Sequence, residues 1–142
     1  MAKIKVFVDS DVIISSLISR TGASYLIINQ FSVNLYISNF SHEELIRTTE
    51  KLRISSDRLE KVLKEKFKKV KIKLSQKEIL NNFGDYAYDF EDAHIICGAK
   101  EAKAKFLITF NIKDYKLQKI YDELGIRVLV PGELLEYLRN LD

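Results

Sequence analysis

Short apolar runs alternate along the chain with longer segments of helical periodicity. The runs are rich in β-branched residues and bounded by polar residues, which is typical of strands. They cover residues 3–8, 33–37, 105–109 and 126–130. Between them, apolar side chains recur at intervals of three and four, which predicts helices. These helices cover residues 12–30, 41–52, 55–70, 75–83 and 89–102.

Local signals refine these predicted elements. Thr21-Gly22 interrupts the first helical segment, and Pro131 begins a last helix at a first-turn position where proline is tolerated. The 55–70 helix is predicted to be basic outside, and residues 70–74 form a short extended piece. A polar turn and a short helix are expected after the strand at 105–109. The pattern is therefore strand and helix in alternation.

This alternation predicts one α/β domain over residues 1–142. Strands separated by helices pair in parallel, and their helices cover both faces of the sheet. The expected fold is a three-layer α/β/α sandwich with a central, mainly parallel sheet. A chain of 142 residues with 46% hydrophobic content is long enough to bury one core.

The sequence also bears on location. No apolar run approaches the roughly 20 residues needed to cross a bilayer, and the first residues do not resemble a signal peptide. A single cysteine, Cys97, cannot form an internal disulfide and is predicted to be a small core residue. We therefore expect a cytoplasmic protein with no membrane partner.

Charge is distributed unevenly. Residues 51–77 hold eleven Lys or Arg and three acids, a local charge of +8 that leaves −5 on the rest of a chain whose net charge is +3. Such a block is either a solvated helix face or a surface that binds a polyanion. The second interpretation gains interest if the acidic remainder contains a metal site.

Several acids occupy positions expected of helix caps, three residues after a side-chain acceptor. The pairs are Ser41 with Glu44, Asp89 with Asp92, Asn111 with Asp114, and Ser75 with Glu78. An acid in a first helical turn bonds free N–H groups and favours the helix dipole by ~0.3–1 kcal/mol. Each acid taken singly is therefore explained by helix capping.

The expected topology places some acids together at one edge of the sheet. Asp9 ends the first strand, Glu44 opens the helix after the second, and Asp114 follows the 105–109 strand. In a parallel sheet, these positions share the carboxyl edge, where ligands bind. Asp92 opens the helix before a strand, so this rule does not place it there. Carboxylates gathered in one crevice repel one another unless a cation neutralises them, and oxygen ligands suit Mg²⁺ or Mn²⁺.

Five fragments carry a resemblance to a known family. They are Val6 to Ser15, Ile37-Ser38 followed by Glu44-Leu45, Asp89 to Ile95, Leu107 to Tyr115, and Val130 to Leu135. In this order they resemble the PIN-domain family of metal-dependent nucleases, especially the short single-domain members that are toxins of toxin-antitoxin pairs. The likeness spans nearly the whole chain.

The resemblance implies a set of site residues. The four acids of the family fall on Asp9, Glu44, Asp92 and Asp114, which would bind Mg²⁺ or Mn²⁺ and carry catalysis. Three further polar positions match the family pattern at Asp11, Thr109 and Asn111. Asp11 either adds a carboxylate or caps the first helix, Glu43 competes with Glu44, and Asn111 competes with Asp114 for the fourth position.

The resemblance also implies a function. The chain would be a metal-dependent endoribonuclease that hydrolyses RNA phosphodiesters, with a small antitoxin protein and a second copy of itself as expected partners. From the charge block we hypothesise RNA contacts at Lys66, Lys68 and Lys69. His42 and His94 are each isolated along the chain, and a helix-packing or surface role is expected for both.

Two alternatives stay open at this point. One is a catalytically silent PIN fold that binds RNA or protein. The other is a phosphatase of the haloacid-dehalogenase class, because Asp9-Ser10-Asp11 resembles its nucleophile loop, and Gly84-Asp85 with Asp89 resembles its metal motif. In that class, however, the threonine motif precedes the metal motif, whereas Thr109 follows Asp89 here.

Overall fold

Five parallel strands run through the centre of the computed structural model, which describes residues 3–141. The strands are β1 (Lys5–Val8), β2 (Asn34–Ser38), β3 (Phe67–Val70), β4 (Phe106–Ile108) and β5 (Arg127–Leu129). Their order in the sheet is β3-β2-β1-β4-β5. The sheet is thus entirely parallel over the described residues, as the strand and helix alternation predicts.

Helices connect these strands and cover the sheet. They are α1 (Ser10–Ile18), α2 (Ala23–Gln30), α3 (Asn39–Lys51), α4 (Ser56–Lys66), α5 (Gln76–Phe83), α6 (Ala93–Glu101), α7 (Leu117–Leu124) and α8 (Pro131–Arg139). One-turn 3-10 helices occur at Gly84–Tyr86, Phe90–Asp92 and Ile112–Asp114. The predicted interruption at Thr21-Gly22 and the start of the last helix at Pro131 are both confirmed.

Alternation along the strands builds two cores. Val6 and Val8 of β1 pack with the cluster that includes α1, α2, α4 and α8, whereas Phe7 packs with the cluster of α5, α6 and α7. Successive side chains of a strand point to opposite faces, so each face buries its own layer of helices. The three-layer α/β/α prediction is confirmed, and Cys97 lies in the second core as expected.

Helix ends follow ordinary capping chemistry. The Ser38 hydroxyl accepts the N–H of Ser41 at 3.0 Å, so α3 begins earlier than predicted. Ser75 and Glu78 form the expected reciprocal capping box of α5. Gly125 ends α7 with a φ of 69°, a left-handed conformation in which a Cβ would be strained.

The predicted helix at 55–70 is wrong in its last turn. α4 ends at Lys66, and residues 67–70 form β3, which pairs with β2 from Leu35 to Ser38. Phe67 and Val70 therefore lie on opposite faces of a strand, in the two different cores. The extended piece predicted for 70–74 begins three residues earlier than expected.

α6 packs unusually close to the sheet at Gly98. A Cβ built on Gly98 would lie 2.5 Å from Cζ and 2.7 Å from Cε1 of Phe7. Phe7 is fully buried at the centre of the sheet, and a close-packed interior leaves its ring little room to move away from an added Cβ. The missing side chain at Gly98 thus sets the distance between α6 and β1.

Over residues 3–141, no single helix is both long and apolar enough to span a membrane. α1 and α2 together meet the criteria of length and composition, but they are bent by 93° relative to each other.

Candidate functional site

The strand order creates a crevice between the carboxyl ends of β1 and β4. From β1 the chain proceeds to β2 and β3 on one side of the sheet, and β4 and β5 lie on the other side. Ligands of open α/β sheets bind at such a reversal, outside the carboxyl ends of the strands. Asp9 stands there, and its N–H donates to the carbonyl of Ile108 at 3.0 Å.

Asp9 is held on both carboxylate oxygens. Its Oδ1 accepts the N–H of Ser10 at 2.7 Å, and its Oδ2 accepts hydroxyl hydrogen bonds from Thr109 at 2.9 Å and Tyr115 at 3.2 Å. Burial, together with the charges of Asp11 and Glu44, raises the pKa of Asp9 to about 6. Three donors do not offset the cost of ionising this half-buried group.

Glu44 reaches the same crevice from α3. The Ser10 hydroxyl donates to Glu44 Oε1 at 2.6 Å, and His94 Nε2 lies 3.6 Å from Glu44 Oε2. The nearby imidazole of His94 and the Ser10 hydrogen bond hold the pKa of Glu44 below its usual value. The predicted Ser41 and Glu44 cap is wrong, because Ser38 caps α3 and Glu44 lies in the second turn.

Asp92 stands at the start of α6, and its side chain makes no capping hydrogen bond. Burial comes first, followed by the charges of Asp9 and Asp114, in raising the pKa of Asp92 to about 6. Asp89 caps the preceding 3-10 turn by accepting the N–H of Glu91 at 2.9 Å. The Asp89 part of the predicted cap is thus present, and Asp92 faces the crevice.

Parallel topology also explains the position of Asp92. α6 leads directly into β4, which runs parallel to β1, so α6 must end at the amino edge of the sheet. It therefore begins at the carboxyl edge, where Asp9 lies. The rule used on the sequence covers helices that follow a strand, so it did not place Asp92, whose helix precedes one.

The Asp11 side chain binds the loop after β4 and does not cap α1. Its Oδ2 accepts the N–H of Phe110 at 3.0 Å and the side-chain N–H of Asn111 at 3.1 Å, with the Thr109 hydroxyl at 3.4 Å. Its Oδ1 is buried without a hydrogen-bond partner among the described residues. Burial raises the pKa of Asp11 as well. Of the two roles left open for it, the geometry favours a further carboxylate.

Asp114 lies exposed at the end of a one-turn 3-10 helix. The predicted cap by Asn111 is wrong, because the Asn111 side chain bonds Asp11 instead, and the next α-helix begins only at Leu117. Asp114 contributes to the electrostatics of Asp92, whereas Asn111 contacts Asp11 directly. Both competitors for the fourth position therefore border the crevice.

Three contributors were missed by sequence reasoning. Ser10 links two acids, through its N–H to Asp9 and its hydroxyl to Glu44. Tyr115 is buried and its hydroxyl donates to Asp9. Burial, followed by the charges of Asp9 and Asp92, raises the pKa of Tyr115. The third, His94, was expected to be isolated, but it contacts Glu44.

The histidine prediction is corrected in part. The His94 ring stacks on Phe40 with centroids 5.9 Å apart, so it packs between helices as expected and touches the site as well. His42 lies on the surface, where Nε2 is 2.8 Å from Glu60 Oε1 and Nδ1 is 3.3 Å from Lys69 Nζ. Neither ring is isolated.

The basic block lies away from the centre of the crevice. Lys66 ends α4, and Lys68 and Lys69 belong to β3, the edge strand. Two strand spacings of ~4.8 Å separate β3 from β1, so Lys68 and Lys69 lie about 10 Å across the sheet from the strand that ends at Asp9. Lysines on an edge strand also discourage unwanted strand pairing.

The donor set fits a hard divalent cation. Over residues 3–141, no group of three or more His, Cys, Asp or Glu side chains is already arranged around one ion position. Mg²⁺ commonly binds through one or two carboxylates and retains several waters, so Asp9 and Asp92 are a sufficient protein contribution. Burial and, after it, the charges of neighbouring carboxylates raise both pKa values, and a bound cation would offset that repulsion.

A groove of about 460 Å³ adjoins the crevice beside Glu44 and His94. It lies between α3, α5 and the turn that precedes α6. Its walls include Phe40, Arg47, Ile79, Leu80 and Phe90. Glu43 faces this groove and is exposed, whereas Glu44 is hydrogen-bonded into the crevice, so the geometry favours Glu44 over its neighbour.

Comparison with known proteins identifies relatives of the chain. A family model described as the PIN domain matches residues 5–113. A solved toxin-antitoxin complex from Klebsiella pneumoniae is similar in fold, with a TM-score of 0.65, 20% identity, and coverage of 89% of this chain and 97% of the other. VapBC2 from Rickettsia felis, bound to a DNA fragment from its promoter, gives a TM-score of 0.58, 12% identity, and coverage of 89% and 98%. No curated protein sequence matches the chain.

Proposed function

Because this chain belongs to the PIN-domain family, a family of nucleases, we propose that it is an endoribonuclease that uses Mg²⁺ or Mn²⁺ to hydrolyse RNA phosphodiesters. The observation that carries the proposal is the shared electrostatic environment of Asp9 and Asp92. Both pKa values are raised to about 6, partly by neighbouring carboxylates. Carboxylates held together against their repulsion are typical of a cation site.

The chain itself would position the reacting groups. Thr109 and Tyr115 fix the orientation of Asp9, and Ser10 with His94 fixes that of Glu44. A bound divalent ion would supply charge that activates water and offsets the charge on the phosphate. Fixed ligand orientation matters because small displacements of such groups cost large factors in rate.

Asp9 and Asp92 are the direct ligands that we propose, with Glu44 and Asp114 acting directly or through water. Asp11, Thr109 and Asn111 would support them by hydrogen bonding. Lys66, Lys68 and Lys69 are exposed, and we propose that they contact the phosphate backbone of RNA that extends along the sheet beyond the crevice.

The experiment is a Mn²⁺-dependent cleavage assay on structured and unstructured RNA. Asp9→Asn and Asp92→Asn should each lower cleavage by about 100-fold or more, since loss of mere supporting residues at metal sites already costs ~10–100-fold. Asp85→Asn, at an exposed turn carboxylate, is the matched control and should cleave like the wild type. Equal cleavage by all three variants, or cleavage that persists in EDTA, would remove the proposal.

A second candidate is a catalytically silent PIN fold that binds RNA or protein. The observation in its favour is that, in the described part of the chain, no three potential ligands surround one ion position. Metal titration separates the two candidates. A silent module shows no Mn²⁺-dependent cleavage by the wild type, and therefore none to lose on Asp92→Asn.

Partners are proposed from the solved relatives. The similar structure from Klebsiella pneumoniae is a toxin-antitoxin complex, so we propose that this chain is a cytoplasmic toxin neutralised by a small antitoxin protein. A homodimer is proposed as well. Growth arrest on expression, relieved by a protein encoded beside it, would support the first proposal, and the mass in solution tests the second.

A further inference from the structure

Three exposed aromatic residues lie in the loops that carry acids of the crevice. Tyr88 is 72% exposed, Phe90 70% and Phe110 48%. Large aromatic residues are usually buried for most of their surface, and several exposed ones beside a polar site indicate a binding surface. We call Tyr88, Phe90 and Phe110 the aromatic rim. None of them contributes to the metal chemistry proposed above.

Two members of the rim are hydrogen-bonded to acids of the site through their backbone, and the third lies two residues from one. The N–H of Phe110 donates to Asp11 Oδ2 at 3.0 Å, and the N–H of Tyr88 donates to the carbonyl of Asp114 at 2.9 Å. Phe90 begins the one-turn helix that ends at Asp92. Phe90 also lines the same groove as Glu44, so the rim adjoins the carboxylates.

The backbone around Tyr88 is rigid. Ala87 and Tyr115 form an antiparallel bridge, and the N–H of Lys116 donates to the carbonyl of Tyr86 at 2.9 Å. Together with the Tyr88 bond to Asp114, this clamps two segments that are distant in sequence. A preformed aromatic surface loses little conformational entropy when a ligand binds to it.

Lysines lie beside Tyr88 and beside Tyr86, a neighbouring ring outside the rim. Lys116 Nζ lies 5.5 Å from the ring centroid of Tyr88, and Lys119 Nζ lies 5.4 Å from that of Tyr86. A flat π surface with an ammonium group beside it complements a nucleotide, whose base stacks and whose phosphate is anionic. The exposed side chains of the rim are aromatic and the charge beside Tyr88 is positive, which favours a nucleic acid over a protein partner.

We propose that the aromatic rim stacks unpaired bases of single-stranded RNA and that Lys116 contacts the adjoining phosphate. The inference rests on the proposed function and deepens it, because it names the residues that would hold the substrate beside the crevice. Bases inside a duplex are stacked on one another and cannot present a free face to Tyr88 or Phe110. The rim would hold the strand so that its backbone crosses the crevice.

The test measures binding by fluorescence anisotropy in EDTA, in an Asp92→Asn background, with a labelled single-stranded oligoribonucleotide and the same sequence as a duplex. Alanine at Tyr88, Phe90 or Phe110 should weaken single-strand binding by roughly 5- to 100-fold each, the range for loss of one base stack. Duplex binding should not change. Tyr121→Ala is the matched control, because this tyrosine is 52% exposed on α7 outside the rim.

Conservative variants separate stacking from simple apolar contact. Tyr88→Phe keeps the ring and should bind like the parent, whereas Tyr88→Leu keeps apolar surface, loses the π face, and should bind like the alanine variant. Unchanged single-strand binding by all three rim alanines would overturn the inference. So would a Tyr88→Ala variant that binds RNA normally but changes the mass of the protein in solution, since the rim would then be a protein contact.

Failure of the rim and failure of the nuclease proposal give different results. If Mn²⁺-dependent cleavage is present but the rim variants bind and cleave normally, only the rim is rejected. If the wild type does not cleave, yet single-strand binding depends on Tyr88 and Phe110, the rim stands on a protein that is not a nuclease.

Discussion

Asp9 is the residue at which the competing demands of the site meet. Its two oxygens accept three hydrogen bonds, which favour the ionised form, while burial and the charges of Asp11 and Glu44 oppose ionisation more strongly. The pKa of about 6 lies above the usual 3.8. Between about pH 4 and pH 6, Asp9 of the folded protein therefore keeps a proton that the unfolded chain has already released.

This gives a prediction for the metal-free protein. Because the folded-state pKa is raised, the free energy of unfolding falls as pH rises from about 4 to about 6. Asp9→Asn removes this loss and should stabilise the protein by ~1–3 kcal/mol at pH 7.5, with a much smaller gain at pH 4.5. Urea unfolding in EDTA at the two pH values measures the difference.

The same variant also tests metal binding. Mn²⁺ should raise the melting temperature of the wild type at pH 7.5, because an ion that binds only the folded state stabilises it, and Asp9→Asn should lose this response. Asp85→Asn, whose carboxylate is exposed, should behave like the wild type in both measurements. A wild type that is more stable than Asp9→Asn in EDTA at pH 7.5 would contradict the prediction.

The sequence predicted the acids of the site and two of their partners, Thr109 and Asn111, but not Ser10, Tyr115 or the contact of His94. Asp9 and Glu44 follow strands, and that position alone suggested the carboxyl edge. The contact between His94 and Glu44 joins α6 to α3 across 50 positions, and no local pattern encodes it. Ser10 could have been suspected, since it is adjacent to Asp9 at the start of the helix. Its hydroxyl bond to Glu44 depends on tertiary packing.

Among the helices, α6 is the one whose position depends most clearly on a single residue, Gly98. Asp92 stands at its start, and Gly98, six residues later, allows it to lie against Phe7. A helix that is held at a fixed distance from β1 also holds Asp92 at a fixed distance from Asp9. The absent side chain at Gly98 is thus linked to the geometry of the crevice.

We therefore predict the effect of Gly98→Ala. Alanine favours helix formation by ~1 kcal/mol over glycine, but its Cβ would overlap the Phe7 ring, and overpacking typically costs ~1–3 kcal/mol. The variant should be less stable in urea unfolding and should cleave RNA more slowly. Gly132→Ala in the first turn of α8 is the control, because no atom lies within 4 Å of its Cβ position, and it should be neutral or stabilising.

A second variant shows whether the overlap is the cause. Phe7→Leu should suffer less from Gly98→Ala than the wild type does, and a double-mutant cycle reports that coupling. Additive effects of the two substitutions would contradict the prediction.

The secondary structure was predicted well except where pairing decided it. Phe67 to Val70 continues the apolar spacing of α4, and a run of four residues does not separate helix from strand by periodicity. Its pairing with Leu35 to Ser38 of β2 makes it a strand. Pro131, Gly22 and Ser75 act locally, which is why the elements that they begin were placed correctly.

At the scale of the whole molecule, charge is divided between an acidic crevice and a basic edge. Lys68 and Lys69 extend from β3, two strands away from β1, while Asp9 and Asp92 concentrate negative charge at the reversal of the sheet. Such a division would attract an RNA backbone to the edge and leave the scissile phosphate to the metal.

This division predicts a salt effect. Replacing Lys66, Lys68 and Lys69 with Ala should weaken RNA binding and reduce the slope of log affinity against log salt by up to about two to three, since each phosphate contact contributes ~0.7–0.9. Filter binding between 50 and 200 mM salt, a range over which such contacts act strongly, measures it. Lys3, Lys100 and Lys103, which are exposed and lie outside residues 51–77, give a triple control of equal charge. An unchanged slope would assign the basic edge to solubility alone.

The pairing of β1 with β4 also has a consequence for synthesis. Thr109 and Tyr115 are 100 and 106 positions from Asp9 along the chain, and both bond its carboxylate. A ribosome making this protein has to release most of the polypeptide before those contacts can close. The proposed site at Asp9 can therefore form only once translation of the chain is nearly complete.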